Sequence, residues 1–301
     1  MSKTDLSAGA QAVYRNPGLV GVSARSVKID RFLVELGSHV ILLVFTLIVV
    51  YPVIWMILAS LKTRAEITTN IWGLPRSLAL QNYSAAWQAA KLGYALFNSV
   101  VVSTSVVILV TCLAALAGFA FAKFQFRFAL GIFLLFVFTM HAPVPIIPLY
   151  VMLVKMHLTD SRLGLILPMV AGGLPLSMFI FRGFFQSIPR ELLDAAKVDG
   201  CTDLMAFLRV VVPISGPAFA TVAILQFVGA WNEYFLALIL IRSPEMQTIP
   251  LAVQVFFYAQ GRTYWEQVFA ALSIASLPII LLYVIMQRQF IQGLTAGAVK
   301  G

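Results

Sequence analysis

Six long stretches of the sequence are almost free of charge, and they limit what the chain can fold into. An α-helix needs about 20 consecutive apolar residues to cross the hydrocarbon core of a bilayer. Mean hydropathy is +0.93 and 60% of the residues are hydrophobic, more than a soluble core of this length can hide. The sequence therefore predicts an all-α, polytopic membrane protein with about six transmembrane helices. The predicted spans cover residues 40–61, 97–122, 128–154, 163–181, 212–241 and 268–286.

The distribution of Lys and Arg predicts how these spans are oriented. With six spans both termini lie on one side, and the segments on that side hold 13 Lys and Arg against 8 on the other. Loops rich in Lys and Arg face the cytoplasm, so we expect both termini there and the first span to be an uncleaved anchor. The net charge of +9 is explained by these flanks, without nucleic acid as a partner. We predict a cytoplasmic segment at residues 1–34 and a permease domain at 35–301 in contact with lipid.

A polar insert, residues 187–213, separates the fourth and fifth spans on the predicted cytoplasmic side. Pro189 suits the start of a helix, and the residues that follow it to Val198 are good helix formers. Gly200 predicts a stop because glycine adopts the left-handed conformation at little cost. Thr202 is a suitable N-cap for a second helix that runs to the fifth span. The insert is therefore predicted to form two short helices.

The first of these helices carries two kinds of side chain. Leu192, Ala195 and Ala196 are predicted to share one side, with Glu191 and Asp194 on an adjoining one. Small alanines allow another backbone to approach closely, and the acids suit basic groups. One interpretation is therefore a docking helix that binds a partner protein. The other is an amphipathic connector lying among lipid headgroups. The physical argument alone leaves both open.

The spacing within the insert matches a known motif. Asp194-Ala195-Ala196 is followed by Gly200, and nine residues later by Val210-Val211-Val212-Pro213. This pattern resembles the EAA loop of ABC importer permeases, with Asp in place of Glu and Val at both aliphatic positions. The tail QRQFIQGLTAGAVKG and the stretches MHAPVPIIPLYVML, FRGFFQSIP and WNEYFLALILI resemble the carbohydrate (maltose-type) family. The similarity covers roughly residues 35–301.

The resemblance implies a type I ABC importer permease fold in the cytoplasmic (inner) membrane of a bacterium or archaeon. This chain would be one of two permease subunits, joined by two ATPase subunits and an extracytoplasmic solute-binding protein, and it would import a sugar by alternating access. The residues implied to couple to the ATPase are Glu191, Asp194, Ala195, Ala196, Gly200 and Pro213. In the tail, residues 287–301, those implied to contact the ATPase are Gly293, Leu294, Thr295, Gly297, Lys300 and Gly301. A frayed terminus is the alternative for that tail.

The sequence itself has no means of hydrolysing ATP. It contains no Gly-Lys dipeptide, so the phosphate-binding loop G-x-x-x-x-G-K-[ST] cannot be formed. We therefore predict that the chain is not an enzyme and binds no cofactor, and that ATP and Mg²⁺ are held by the partner ATPase subunits. The three histidines form no pair with ligand spacing, so we predict no metal site.

Glu233, in AWNEYF, is the main charged residue inside a predicted span, which makes it a candidate for the solute path. Trp231 and Asn232 offer a ring face and an amide to a sugar. The alternative is that Trp231 and Tyr234 belong to an interfacial aromatic belt and that Glu233 is already in water. His141 is a further path candidate, although helix packing is the simpler explanation for it.

The outer loop between the last two spans holds Gln260, Gly261 and Arg262, which by resemblance would contact the binding protein. An ion-coupled secondary transporter remains the alternative function; it predicts several intramembrane acids and paired repeats. A membrane enzyme would need a cluster of catalytic groups, which the sequence does not show. The sequence leaves the identity of the solute open.

Overall fold

The computed structural model describes residues 24–140, 144–258 and 263–298, and side chains from residue 35 to residue 287 within these ranges except that of Tyr258. The described chain is helical, without strands. The first eight helices are α1 (Ala24–Ser60), α2 (Arg64–Thr69), α3 (Gln81–Ala89), α4 (Leu92–Lys123), α5 (Ala129–Thr139), α6 (Ile146–Lys155), α7 (Arg162–Gln186) and α8 (Arg190–Val198). They are followed by α9 (Asp203–Ala206), a π-helical turn (Phe207–Val211), α10 (Val212–Ile214), α11 (Gly216–Trp231), α12 (Phe235–Leu240), a 3₁₀ turn (Pro244–Met246), α13 (Ile249–Ala252), α14 (Val255–Tyr258) and α15 (Trp265–Ala298).

The chain divides into two compact units, Met1–Trp55 and Met56–Gly301. In the first unit, α1 exposes its side chains from residue 35 to residue 54. Its apolar window has a mean hydropathy of 2.8. An exposed helix of this composition is suited to hydrocarbon rather than to water.

The second unit is built on α4 and α7, which pack along one another, with α11 lying against both. Its main core contains the buried faces of these helices and of the insert. A second apolar cluster joins α3, α11 and α15. Four phenylalanines concentrate the main core at the insert end: Phe119 of α4, Phe181 and Phe185 of α7, and Phe207 of the π-helical turn.

Two of the six predicted spans are interrupted in the structure. Four helices are long and apolar enough to cross a membrane, and a bent pair, Asp203–Ile214 with Gly216–Trp231, makes a fifth if it is counted as one span. The third predicted span is instead divided into α5 and α6. Prolines 143, 145 and 148 crowd this region, and each lacks the N–H that a continuous helix requires.

The fifth predicted span is also discontinuous. Helix α11 ends at Trp231, and the chain becomes helical again only at Phe235. The upstream end bends by 80° next to Ser215. Interrupted helices occur at membrane depth where protein or a water-filled cavity satisfies the freed backbone groups. The interruption therefore makes this region a candidate for the solute path.

Gly118 sets the distance between α4 and α7. A Cβ at this position would lie 2.7 Å from Phe181 Cβ and 3.0 Å from the backbone nitrogen of Arg182. Backbone atoms cannot move aside as a flexible side chain can, so a methyl group here would push the two helices apart. The central packing of the fold therefore requires glycine at residue 118.

We predict that Gly118→Ala lowers the free energy of unfolding by about 1–3 kcal/mol, because it overpacks the interface between α4 and α7. Gly131→Ala in α5 is the matched control, since a Cβ there meets nothing within 4 Å. Thermal unfolding of the purified proteins in detergent measures both changes. Equal stability of the two variants would show that the α4–α7 distance is not set by Gly118.

Candidate functional site

The insert forms the two predicted helices, α8 and α9, with a sharp turn between them. Gly200 has a φ of 82°, in the left-handed region, as its position predicts. The hydroxyl of Thr202 accepts a hydrogen bond from the backbone N–H of Met205, which caps α9. Across the turn, the Lys197 ammonium lies 2.9 Å from the Asp203 carboxylate. The two helices are thus held at a defined angle by local interactions.

The ion pair across this turn changes the titration of its lysine. The hydrogen bond to the Asp203 carboxylate, followed by its charge, holds the pKa of Lys197 above the ordinary value. A raised lysine pKa stabilises the folded turn at neutral pH, and that stabilisation is lost as the pH rises through the folded-state pKa. Both side chains are about half exposed, so solvent screens the pair and its contribution is small.

Helix α8 buries one face and exposes the other. Leu193 and Ala196 are 8% and 6% exposed and pack into the core of this chain. Leu192, Asp194 and Ala195 point outward. Ala196, which was predicted to share one side of the helix with Leu192 and Ala195, lies at the buried edge of that side, whereas the other two are exposed.

The outward side of the insert is partly apolar and partly acidic. Val198 is 88% exposed and Leu192 is 44% exposed, which is unusual for a helix in water. Glu191, Asp194 and Gly200 are exposed beside them. Within the part of the chain that the structure describes, this surface presents the side chains that a partner with an apolar cleft and basic groups requires.

The insert is fixed to the membrane helices at both ends. The Lys123 ammonium at the end of α4 donates a hydrogen bond to the carbonyl oxygen of Ile188, at 2.6 Å. The Phe207 ring lies 4.9 Å from the Phe119 ring and 6.1 Å from the Phe185 ring, centroid to centroid. A force on the insert therefore reaches α4 and α7 through packed, desolvated contacts.

A cavity of about 450 Å³ opens where the fifth span is interrupted. Its wall comes from the start of α6, the middle of α7, the last turns of α11 and the start of α12. Most of the lining is apolar, and the polar side chains in it are Gln226 and Glu233. The Glu233 carboxylate accepts a hydrogen bond from the backbone N–H of Leu236 at 2.7 Å, which caps α12.

The predicted path residues are placed differently from one another. Glu233 lines the cavity. Trp231 does not, because it is 2% exposed, donates its indole N–H to the carbonyl of Ala275 and stacks on Phe227, so it is a packing residue. Asn232 is exposed and bonds back to the carbonyl of Val228, outside the lining of the cavity.

Several predicted residues lie outside the described part of the chain. His141, Gln260, Gly261, Arg262, Lys300 and Gly301 fall in ranges that the structure does not describe. Gly293, Leu294, Thr295 and Gly297 lie on the described backbone of α15, without described side chains. Among the described residues, no group of three His, Cys, Asp or Glu is placed to bind a metal ion.

Sequence reasoning missed Gln226. Its amide nitrogen donates to the Ser177 hydroxyl at 3.0 Å and, at 3.4 Å, to the carbonyl of Gly173. The available signal was a polar side chain inside an apolar span, seven residues before Glu233. In an unbroken helix that separation is two turns and predicts one shared face, although in the structure Glu233 lies beyond the end of α11 and reaches the same cavity from the break.

A second polar network, also missed, holds the loop that precedes α13. Asn98 of α4 donates to the carbonyl oxygens of Glu245 and Gln247 and accepts from the Arg162 guanidinium at 2.9 Å. The Asp160 carboxylate accepts from the hydroxyl and the backbone N–H of Ser243. These bonds hold the pKa of Asp160 below its usual value, the hydroxyl bond contributing most. The loop that leads to the predicted binding-protein contact is therefore tied to α4 and α7.

Comparisons with known proteins agree with this architecture. Residues 111–296 match the family described as "Binding-protein-dependent transport system inner membrane component". A putative ABC transporter permease from Caldicellulosiruptor is 36% identical over 87% of this chain and 96% of its own length. The diacetylchitobiose uptake permease NgcG of Streptomyces coelicolor is 33% identical over 87% of this chain and 88% of its own. The arabinooligosaccharides permease AraQ of Bacillus subtilis is 32% identical over 86% of this chain and 93% of its own.

The fold is shared with a solved structure of a bacterial ABC transporter involved in the import of the acidic polysaccharide alginate. The TM-score is 0.77 at 22% identity, covering 89% of this chain and 99% of the other. The packed helices, the insert anchored to α4 and α7, and the interrupted fifth span thus define an ABC importer permease of the type I fold. Such a permease is a multi-pass protein of the inner membrane. The chain belongs to the family of binding-protein-dependent transport system inner membrane components.

Membership confirms the predicted class of protein and decides against an ion-coupled secondary transporter. The chain is a transport subunit and not an enzyme. The family implies ATPase subunits and a solute-binding protein as partners.

We predict that Gly200→Ala destabilises the turn between α8 and α9 by about 1 kcal/mol, because a Cβ is disfavoured at a positive φ. Gly183→Ala is the control, since its Cβ also meets nothing within 4 Å but its φ is not in the left-handed region. Faster amide hydrogen exchange in residues 190–206 of the Gly200 variant alone is the expected result. Unchanged exchange would mean that this turn is not under conformational constraint.

Proposed function

We propose that this chain is one of two permease subunits in an importer of carbohydrates, with two ATPase subunits in the cytoplasm and an extracytoplasmic binding protein. The subunits that hydrolyse ATP also hold its Mg²⁺. The observation that carries the proposal is the insert, which is anchored to α4 and α7 on one side and exposes an apolar and acidic surface on the other. Both termini and the insert then lie in the cytoplasm, with residues 1–34 before the permease domain.

Coupling follows from the mechanics of the insert. An ATPase cleft would receive the exposed side of α8, with Leu192, Ala195 and Val198 against apolar walls. Glu191 and Asp194 would meet basic groups there. Closure of the ATPase subunits would displace the insert, and the packed phenylalanines would carry that displacement to α4 and α7. Helices move as near-rigid bodies in such transitions, so the path would open alternately to each side.

The remaining predicted roles complete this proposal. The tail from Gly293 to Gly301 reaches between the ATPase subunits, and Gln260, Gly261 and Arg262 contact the binding protein. Pro213 marks the entry of the insert into the fifth span. The cavity at Glu233 belongs to the solute path, and His141 remains a candidate for it. Several relatives are named as permeases for oligosaccharides, which supports a carbohydrate as the solute.

We expect Asp194→Arg to leave the permease in the membrane and to reduce solute uptake to near background, because it reverses the charge offered to the ATPase. The matched control is Asp199→Arg, which makes the same charge change at another exposed position, about 140° further around the helix. Uptake and ATPase activity are measured together in proteoliposomes that contain the complete importer. Full uptake by the Asp194 variant, or an equal loss in both, would contradict a specific role in docking.

Gly200→Pro is a second test of the same role. Proline fixes φ near −65° and cannot adopt the observed φ of 82°, so α8 would be displaced relative to α9. We expect ATP hydrolysis to continue without uptake. If uptake stays coupled to ATP hydrolysis in this variant, the insert does not transmit the displacement as proposed.

Replacing residues 260–262 with a Gly-Ser-Gly linker should weaken the stimulation of ATPase activity by solute-loaded binding protein and leave the unstimulated activity unchanged. The control is the same linker placed on residues 125–127, which are exposed in the connection between α4 and α5 on the predicted cytoplasmic side. Stimulation equal to that of the unaltered importer would remove these residues from the proposed contact.

A further inference from the structure

The cavity beside the interrupted fifth span differs in polarity from a simple apolar pocket. Its described lining contains one carboxylate, Glu233, and one amide, Gln226, without Lys, Arg or His. The carboxyl end of α11 and the amino ends of α6 and α12 also line the wall, and their partial charges are of opposite sign. Glu233 is therefore the one full charge among the described side chains of the lining, and it is negative.

The hydrogen-bonding capacity of the two polar side chains is one-sided. The Gln226 amide nitrogen, which has two protons to donate, is engaged by the Ser177 hydroxyl and the Gly173 carbonyl. Glu233 uses one oxygen on the N–H of Leu236. Among the lining side chains, what remains for a solute are acceptors: the second carboxylate oxygen of Glu233 and the amide oxygen of Gln226. These two side chains recognise groups that donate hydrogen bonds.

The amide of Gln226 is held in place by the absence of a side chain at Gly173. A Cβ on Gly173 would lie 2.3 Å from the Gln226 amide oxygen and 3.2 Å from a methyl carbon of Val110. The oxygen therefore occupies the space that a larger residue would fill. Gly173 acts as a positioning residue for this acceptor.

We propose that the cavity is a solute subsite that selects neutral, hydroxyl-rich sugars against anionic ones, with Glu233 and Gln226 as the specificity-determining acceptors. The inference rests on the proposed function, because it assigns a chemical preference to the path of that importer. Sugar hydroxyls donate to the two acceptors, whereas a phosphate or carboxylate on the solute needs donors and meets a like charge. The cavity volume of about 450 Å³ is in the usual range for small-molecule sites.

The charge of the cavity can be measured without knowing the natural solute. Cys112 and Cys201 are replaced with Ser, and Leu225→Cys places a single thiol on the cavity wall. The thiol is then modified in membranes that contain the complete importer, using cationic trimethylammonium-ethyl methanethiosulfonate and anionic sulfonatoethyl methanethiosulfonate. The ratio of the two rates, relative to that of free cysteine, reports the local potential.

We expect the cationic reagent to be favoured, and Glu233→Gln to lower the ratio by about 3- to 10-fold, as expected for removing one charge several ångströms away in a partly watered site. Glutamine keeps an oxygen that can accept the N–H of Leu236, so α12 retains its cap. Glu245→Gln is the matched control, because it removes a carboxylate that pairs with Lys91 outside the lining of this cavity. A ratio equal to that of free cysteine, a ratio unaffected by Glu233→Gln, or a thiol that neither reagent reaches would each overturn the inference.

The preference for neutral sugars is tested in the same membranes by protection of the thiol. Melibiose at high concentration should slow its modification about 2-fold or more, while glucose 6-phosphate at equal ionic strength and osmolarity should not. Gly173→Ala should remove most of the protection because it displaces Gln226, and Gly183→Ala, in the same helix, should retain it. Equal or stronger protection by glucose 6-phosphate, or no protection by either probe, would overturn the assignment.

The two proposals fail in distinguishable ways. Stimulation of ATPase activity by the binding protein is recorded for the Leu225→Cys background. If the binding protein stimulates this importer but the cavity thiol shows no charge preference or no protection, only the specificity inference is refuted. An importer whose ATPase activity is independent of this chain refutes the proposed function, whatever the reagents show.

Discussion

The close packing of α4 against α7 is the contact on which the rest of the structure depends. Gly118 permits it, and the backbone of Arg182 and the Cβ of Phe181 occupy the space that a side chain at residue 118 would need. In lipid, tails are as apolar as the side chains they contact, so helices associate through close packing at small residues rather than through a hydrophobic driving force. This pair then supplies both the base of the insert and one wall of the cavity.

The same helices connect three regions that are proposed to act in transport. At one end, Lys123 and the ring cluster of Phe119, Phe185 and Phe207 hold the insert. Further along α7, Gly173 and Ser177 position Gln226 at the cavity. At the far end, Arg162 and Asn98 hold the loop that leads towards the predicted binding-protein contact. A rigid pair of helices that touches all three regions is suited to linking ATP hydrolysis in a partner to opening of a path.

The sequence predicted well those features that depend on local chemistry. Gly200 and Thr202 define a turn and a cap because their preferences act within four residues, and both are found as predicted. It predicted continuity poorly, because the division of the third span and the break after Trp231 depend on how neighbouring helices satisfy the interrupted backbone. Ala196 was assigned to function by resemblance and Trp231 by residue type, and the direction each side chain takes is set by packing.

By itself the sequence determined the class of protein, its membrane location and the existence of a polar insert with a recognisable motif. These follow from hydropathy and from short-range spacing, which any fold of the chain must respect. Only the tertiary structure decided that Gln226 and Glu233 line one cavity, that Asn98 joins Arg162 to a distant loop, and that Ala196 faces inward. The reason is physical: an acceptor or a cation takes on a role through the group opposite it, and helix packing brings that group from a remote part of the chain.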